Sequence, residues 1–345
     1  MEVKPTILKN SKTIKKTKMN KIIHALSILV MAGCTSQSSQ DTSTEFPELT
    51  GIYLGQSEPG LSPELFAPNI ISTGMSEINA CFSPDFSEFL YTIITDDDKY
   101  VIMTMSYLEG KWSKPKVASF SGTSSDADPF ITADGKWLYF VSKRNAPHSK
   151  KTKEDWDIWK VEKVGNEWSN PERLGGDINS ETNDIYPSLT KDGTLYYSSG
   201  KDRGNDNNDL YYALSNGNEF EPSVRLNDSI NTHWEGDVFI SPDEDYIIYW
   251  SSGRPDKGLY ISFNNDGEWT LPIRMNEEIN KTGNEFCPIV SPDGKFFFFT
   301  SDRTVDTKDS NRSFFSSSDK NPGNGKNDIY WVNAAIIEKY RNSGQ

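Results

Sequence analysis

The stretch SPDGKFFFFTSDR, residues 291–303, is one of several related segments in this 345-residue chain. It joins a Ser-Pro-Asp-Gly turn to a run of aromatic residues that ends in Ser-x-Arg. The related segments are TADGKWLYFVSKR (132–144), TKDGTLYYSSGKDR (190–203), SPDEDYIIYWSSGR (241–254) and the more divergent SPDFSEFLYTIITDDD (83–98). Their first residues, Ser83, Thr132, Thr190, Ser241 and Ser291, lie 49, 58, 51 and 50 residues apart. A repeat of about fifty residues is typical of chains built from successive supersecondary units.

Each unit contains four strand-like segments in the same order. A short apolar segment precedes the turn, and an aromatic segment such as WLYFVS (137–142) follows it. A third segment, as in DIWKVEK (157–163), leads to a turn, and a fourth contains an aromatic residue and a proline, as in EWSNPERL (167–174). Aromatic and β-branched residues favour strands, and Asp, Asn, Gly and Pro favour turns. The pattern predicts an all-β fold, a β-propeller of four-stranded blades with five visible repeats.

The fifth unit lacks a fourth strand. Its third segment, NDIYWV (327–332), is followed by the helix-like AAIIEKYR (334–341). The missing piece lies at the other end of the chain, where PELFAPNIIS (63–72) aligns without a gap to PERLGGDINS (171–180). We therefore predict that an N-terminal strand completes the last blade and removes its open edge. The predicted propeller covers residues 63–334, and residues 335–345 form a C-terminal helical tail.

These repeats resemble the PD40, or WD40-like, repeats of TolB-type propellers. The resemblance rests on the Asp-Gly turns, the Asp-Ile-Tyr/Trp strands and three Ser-x-Arg endings, Ser142/Arg144, Ser252/Arg254 and Ser301/Arg303. The first repeat departs most, since it has neither the glycine nor the arginine. TolB-like propellers commonly have six blades, so the resemblance leaves a six-bladed alternative open. A sixth blade would have to come from residues 45–60.

The N-terminal region precedes the predicted fold. A lysine-rich run at residues 4–21 is followed by the apolar IIHALSILVMAG (22–33) and then Cys34. Ala32 and Gly33 before Cys34 resemble the lipobox of bacterial lipoproteins. The resemblance implies a signal peptide at residues 1–33 and a lipid on Cys34. It also implies an outer-membrane location, in the cell envelope, facing the periplasm or the surface. An ordinary secretory peptide is the alternative. Residues 34–62 are then a polar tether and lead-in.

Six residues before each turn stands an acidic residue: Glu77, Asp126, Asp184, Glu235 and Glu285. Since the first strand of a blade lines the central channel, these residues are expected to form a ring near one channel mouth. One interpretation is a site for a ligand or a cation, with Ca²⁺ as the candidate ion and no other cofactor. The other is that each carboxylate accepts backbone N–H groups in the interblade linker. Two positions further on, Asp128 and Asp237 would add charge to the channel.

Features outside the repeat are candidates for individual roles. Insertions occupy residues 144–156 and 304–327, and the second carries Phe314 and Phe315, which we interpret as a candidate docking contact. His233 and Trp234 adjoin Glu235. The two cysteines of the predicted propeller, Cys81 and Cys287, lie on first strands of neighbouring blades. They either form a disulfide or are two small core residues.

The net charge and the motifs of the sequence limit the classes of function that are possible. A net charge of −14 excludes nucleic acid as a partner, because such binding depends on cationic neutralisation of phosphates. The sequence has no Gly-x-Ser-x-Gly motif of a hydrolase nucleophile. We therefore favour a monomeric, lipid-anchored scaffold that binds an envelope protein or a glycan and touches the membrane only through its lipid. The alternative is a glycosidase-like enzyme that uses carboxylates at the channel mouth.

Overall fold

The computed structural model describes residues 46–146, 155–204, 207–217, 219–253, 256–304 and 321–343. A short strand β1 (Glu64–Leu65) precedes the first blade. Blade 1 contains β2 (Ser76–Phe82), β3 (Glu88–Ile94), β4 (Tyr100–Leu108), β5 (Lys111–Trp112) and β6 (Lys116–Val117). Blade 2 contains β7 (Asp126–Ile131), β8 (Trp137–Ser142), β9 (Asp157–Val164), β10 (Glu167–Trp168) and β11 (Glu172–Arg173). Blade 3 contains β12 (Asp184–Leu189), β13 (Leu195–Ser199), β14 (Asp209–Ala213) and β15 (Val224–Arg225).

The last two blades follow the same plan. Blade 4 contains β16 (Glu235–Ile240), β17 (Tyr246–Ser251), β18 (Gly258–Asn265), β19 (Glu268–Trp269) and β20 (Ile273–Arg274). Blade 5 contains β21 (Glu285–Val290), β22 (Phe296–Ser301) and β23 (Asp328–Asn333), after which helix α1 (Ala335–Ser343) ends the described chain. In blades 1, 2 and 4 the outermost strand is divided into two short pieces that pair with the same third strand.

The described residues therefore form five antiparallel blades, which confirms the predicted propeller. β1 pairs antiparallel with β23, with Glu64 opposite Trp331 and Leu65 opposite Tyr330. The last sheet has the order β1-β23-β22-β21, so the N-terminal strand supplies its outer edge as predicted. Residues 46–62 make no sixth blade; Thr50 forms a single bridge to Lys111 of blade 1.

The turn that opens each second strand is fixed by its own side chains. In blade 5, Ser291 Oγ donates to Asp293 Oδ1 (2.8 Å) and accepts the backbone N–H of Phe296 (3.0 Å). Asp293 Oδ1 also accepts the N–H of Lys295 (3.2 Å). Gly294 has a φ of +71°, a conformation that a residue with a Cβ rarely adopts. Glycine therefore suits this turn best, although Phe86 and Glu244 adopt a similar φ at the same position in blades 1 and 4.

The run of four phenylalanines at 296–299 holds three blades together. Successive side chains of a strand point to opposite faces of the sheet. Phe296 and Phe298 accordingly belong to the hydrophobic cluster shared with blade 1, and Phe297 and Phe299 to the one shared with blade 4. Both faces of this blade are buried by its neighbours, which is why residues 296–299 are all apolar instead of alternating.

Helix α1 closes one side of the seam between blades 4 and 5. Ile336, Ile337 and Tyr340 are buried in the same cluster as Phe297, and the Tyr340 hydroxyl accepts the N–H of Asn276 (2.9 Å). Within the described part of the chain, no helix has the length and apolar character needed to cross a bilayer.

Candidate functional site

The five predicted acidic residues all lie at the start of the innermost strands. Glu77 is the second residue of β2, and Asp126, Asp184, Glu235 and Glu285 are the first residues of β7, β12, β16 and β21. Each side chain is buried, with at most 1% exposed. Because the innermost strands all start where the interblade linkers arrive, the five lie at the same end of the propeller.

Glu285 shows how such a carboxylate is used. It accepts the backbone N–H groups of Thr282 (3.1 Å) and Gly283 (2.9 Å), which belong to the linker. It also accepts Ser301 Oγ (2.9 Å) and Arg303 Nη2 (3.1 Å) from the end of the second strand. The carboxylate therefore ties the incoming linker to its own blade, and the Ser-x-Arg ending of the repeat supplies two of the donors.

The other four carboxylates have the same kind of partner. Asp126 is bound by Ser121, Gly122, Ser142 and Arg144, Asp184 by Ser180 and Ser199, and Glu235 by Thr232, His233 and Ser251. Blade 1 lacks the Ser-x-Arg ending, and Glu77 is bound by the backbone and hydroxyl of Thr73. Burial raises the pKa of Glu77 to about 7.

These contacts engage each carboxylate within its own blade. Among the described residues, no hydrogen bond or salt bridge joins two members of the predicted ring. The same part of the chain holds no group of three or more His, Cys, Asp or Glu side chains placed to bind a metal ion. The geometry therefore corresponds to the linker interpretation more closely than to a Ca²⁺ site.

A second ring, which we call the bulge ring, lies two residues further along each innermost strand. Every innermost strand has a bulge at this point, and the residue in it adopts a left-handed conformation. The members, with their φ angles, are Asn79 (60°), Asp128 (52°), Tyr186 (56°), Asp237 (48°) and Cys287 (49°). A bulge re-aims a side chain that regular pairing would direct elsewhere. All five line a cavity of about 40 Å³ on the propeller axis.

Hydrogen bonds join members of the bulge ring from different blades. Asn79 Nδ2 donates to Asp128 Oδ1 (3.2 Å). Asp237 Oδ1 accepts the backbone N–H of Cys287 (3.2 Å) and its thiol (3.5 Å). Asn79 Oδ1 is buried and accepts no hydrogen bond from any described residue. The cavity is therefore polar, and it contains one acceptor whose capacity is unused.

The two carboxyl groups of the bulge ring have raised pKa values. Burial raises the pKa of Asp128 to about 8, and the charge of Asp237 adds to the effect. Burial likewise raises the pKa of Asp237 to about 7, partly offset by the hydrogen bonds from Cys287 and Tyr186. The pKa values of the Tyr186 hydroxyl and the Cys287 thiol are raised well above their ordinary values, again chiefly by burial.

These shifts predict a pH dependence of stability. Between an ordinary aspartate pKa of 3.8 and the folded values of about 7 and 8, the folded protein binds protons that the unfolded chain has lost. The free energy of unfolding should therefore fall as the pH rises through this window. Urea unfolding of an Asp128→Asn/Asp237→Asn double variant should lose at least about 2 kcal/mol of the wild-type decrease between pH 5 and pH 9. Identical pH profiles for both proteins would contradict the proton binding.

An apolar compartment, the vestibule, adjoins the bulge ring on the side of the Asp-Gly turns. Its volume is about 270 Å³. It shares Ala80, Phe130, Phe239 and Ile289 with the lining of the polar cavity, so the two spaces are neighbours along the axis. The remaining lining is mostly aliphatic and aromatic, with proline and turn residues at the outer rim: Cys81, Phe82, Pro84, Ile131, Ala133, Leu189, Ile240, Pro242, Tyr246, Val290, Ser291, Pro292, Gly294 and Phe298.

Only some of the residues that line this channel were predicted from the sequence. Asp128 and Asp237 were predicted to lie in the channel, and both line the cavity. Asn79, Tyr186 and Cys287 were not predicted to lie there, although all five positions of the bulge ring have the same spacing as the turns. Their residue types differ from blade to blade, so only the spacing, and no shared chemistry, could have identified them.

The remaining candidates are the cysteines, His233 and the two phenylalanines of the longer insertion. Cys81 and Cys287 are free; Cys81 packs between blades 1 and 2, and Cys287 faces the channel. His233 donates its backbone N–H to Glu235 and is part of the linker. Cys34 lies outside the described residues. So do Phe314 and Phe315, whose proposed roles stay predictions.

Comparisons with known proteins find structural similarity but no relative by sequence. No family model matches the chain, and no curated protein matches it. TolB from Acinetobacter baumannii is similar in structure, with a TM-score of 0.45 and 15% identity over 75% of this chain, which spans only 57% of that protein. A protein of Agrobacterium tumefaciens described as TolB gives 0.46 and 17%, over 75% of this chain and 90% of that one. An alpha-L-arabinofuranosidase from Lactobacillus brevis gives 0.44 and 11%, over 68% and 84%. At these identities the likeness concerns the fold alone.

Proposed function

We propose that this protein is a non-catalytic binding propeller, held at the bacterial cell envelope by a lipid on Cys34. The lipobox-like sequence before Cys34 and the polar residues after it support the anchor. In this proposal residues 1–33 are removed, residues 34–62 are the tether and lead-in, and the PD40-like repeats of residues 63–334 form the binding platform. The partner is an envelope protein or a glycan, and the propeller acts as a monomer at the outer membrane.

The use of the five ring carboxylates is the observation that favours binding over catalysis. A glycosidase needs two accessible carboxyl groups, one protonated and one ionised. The five ring carboxylates are buried and engaged by linker N–H groups, hydroxyls and, in blades 2 and 5, an arginine. The two channel carboxyls, Asp128 and Asp237, both have raised pKa values, and their cavity of about 40 Å³ is too small for a sugar ring. Neither set supplies the unlike pair that glycoside hydrolysis requires.

The end of the propeller that carries the linkers is the better docking face. The insertions in blades 2 and 5 leave from the ends of β8 and β22, beside the ring carboxylates. Blade 1 contacts both of these blades, so the strand ends from which the insertions leave belong to the two blades beside it. Rigid scaffolds commonly present variable loops to a partner. We assign the docking contact to Phe314 and Phe315, adjacent aromatic residues in the longer insertion.

Cross-linking of the tagged protein in intact cells, followed by detergent extraction, tests both parts. We expect the wild-type chain in the membrane fraction with one stoichiometric envelope partner. A Cys34→Ala variant should move to the soluble fraction, and a Phe314→Ser/Phe315→Ser variant should stay in the membrane fraction but lose the partner. A Leu271→Ser variant is the matched control, because Leu271 is an exposed apolar residue of blade 4, far in sequence from the insertions.

The possible failures are separate. Retention of Cys34→Ala in the membrane fraction would contradict the lipid anchor. A partner that still co-purifies with the double phenylalanine variant would contradict the docking loop. Hydrolysis of a glycoside by the purified wild-type protein would contradict a purely binding function.

A further inference from the structure

The central channel combines an apolar space with a polar end. The vestibule of about 270 Å³ lies next to the polar cavity of the bulge ring, and Phe130, Phe239 and Ile289 belong to the lining of both spaces. At about 30 Å³ per water, the vestibule has room for roughly nine water-sized groups. Ligand sites in proteins are commonly concave and apolar with a few converging polar groups. The shape alone therefore suits a small elongated molecule that has one polar end.

The bulge ring offers hydrogen-bond acceptors at that polar end. Asp128 and Asp237 contribute carboxyl oxygens, and Asn79 contributes Oδ1, which is buried and unused by the described residues. A primary ammonium group has three N–H donors and no acceptor. The three acceptor groups therefore equal its donors in number, and the two carboxylates supply the opposite charge.

Among the described residues, no cationic side chain faces the carboxyl groups of the channel. In the portion of the chain that the structure describes, neither compartment is lined by lysine, arginine or histidine. The groups that face Asp128 and Asp237 from the other blades are Asn79, Tyr186 and Cys287, of which none is a cation. Buried carboxylates without a counter-ion are costly and take up protons instead. A cationic ligand would replace those protons.

We propose that the channel binds a small organic amine, with its ammonium group at Asn79, Asp128 and Asp237 and its alkyl or aryl body in the vestibule. This site is separate from the docking face and does not depend on the lipid anchor or on any partner. A metal ion suits the site less well, because the described residues contain no three His, Cys, Asp or Glu side chains placed around one point. A sugar suits it less well because the vestibule walls are mostly apolar.

Isothermal titration calorimetry of the purified full-length protein tests the site with 2-phenylethylamine and n-hexylamine. Both amines should bind, and 2-phenylethanol, which has the same body without the charge, should bind at least about tenfold more weakly. Asp237→Asn, which keeps the shape of the side chain, should weaken amine binding by at least about tenfold. Asp96→Asn, the same change at an exposed turn residue, should have no effect.

The pH dependence gives an independent readout of the same contact. Because the resting carboxyl groups, with pKa values of about 8 and 7, hold protons that the ammonium group must displace, amine affinity should rise by at least about tenfold from pH 6 to pH 8.5. The wild-type comparison of amine with alcohol needs no variant, so it stands even if Asp237→Asn misfolds.

Several results would overturn the proposal. These are no binding of either amine, equal binding of amine and alcohol, and unchanged binding to Asp237→Asn. Full displacement of the amine by equimolar Na⁺ or K⁺ would identify an inorganic cation site instead. None of these outcomes changes the expected result of the cross-linking experiment.

Discussion

Replacing Phe66 by alanine is expected to lower the free energy of unfolding by about 3–5 kcal/mol, because this side chain joins the two ends of the chain. Phe66 follows strand β1 and is fully buried. Its ring makes edge contacts with Phe89 of blade 1 (5.5 Å) and with Phe298 (5.1 Å) and Trp331 (5.1 Å) of blade 5. Removing it leaves a cavity at the seam that closes the propeller. Urea unfolding followed by tryptophan fluorescence measures the loss.

Leu65→Ala is the matched control for this prediction. Leu65 precedes Phe66 and pairs with Tyr330, but its side chain is only partly buried, against the cluster on the other face. Its truncation should cost about 1 kcal/mol, since partly exposed sites lose less apolar contact. If both variants lost the same stability, the seam would depend on the backbone pairing of β1 with β23 and not on the aromatic contact.

The fold could be predicted from the sequence because short turn and strand motifs recur along the chain in the same order. Asp-Gly turns and aromatic strands recur in register, and each is fixed by contacts within a few residues, as between Ser291 and Asp293. The closure by β1 was visible because residues 63–72 match a fourth strand without a gap. Because the same motifs recur in five units, the assignment of the strands does not depend on any single segment.

The channel could be predicted only in part, because its geometry depends on the bulges. A regular strand would not direct residues 79, 128, 186, 237 and 287 in this way, and the shift of register arises from pairing with the second strand. Non-glycine residues rarely adopt φ near 50°, so the sequence carries no local sign of it. Cys287 shows the consequence, since its position relative to the turn was known but its exposure to the channel was not.

An Ile-Asn pair also recurs in the sequence, and only the structure shows its role. Asn179, Asn231 and Asn280 each accept the N–H of a residue at the start of the third strand and donate to two carbonyl groups. Each pins the linker to the third strand of the blade that the chain is leaving, whereas the ring carboxylates pin it to the second strand of the blade that follows. Such a side chain satisfies buried backbone groups that the linker leaves unpaired. The repeated residues therefore specify the hydrogen bonds of the linkers as well as the pairing of the strands.

Arg303→Met is the second change with a large expected effect, about 3–5 kcal/mol, because it removes one partner of a buried ion pair. Arg303 is 6% exposed and forms a salt bridge of 3.1 Å with Glu285, which is fully buried. Its guanidinium also donates to the carbonyl groups of Glu278 (3.0 Å) and Ile279 (2.6 Å). Methionine keeps an unbranched side chain of similar length, so the loss measured by urea unfolding reports mainly on the missing donors.

Two further variants separate the charge from the packing. Lys111→Met breaks an ion pair with Glu48 in which both side chains are more than half exposed, and it should change stability by less than about 1 kcal/mol. Adding Glu285→Gln to Arg303→Met should restore part of the loss, because the buried carboxylate no longer lacks its cation. If the double variant were less stable than Arg303→Met alone, the arginine would act chiefly through its packing on Phe299 and Tyr330, whose rings lie 5.1 and 4.8 Å from the guanidinium carbon. The arginine of the Ser-x-Arg ending would then be a packing element of the blade, and the carboxylate would be held by its linker and by the Ser301 hydroxyl.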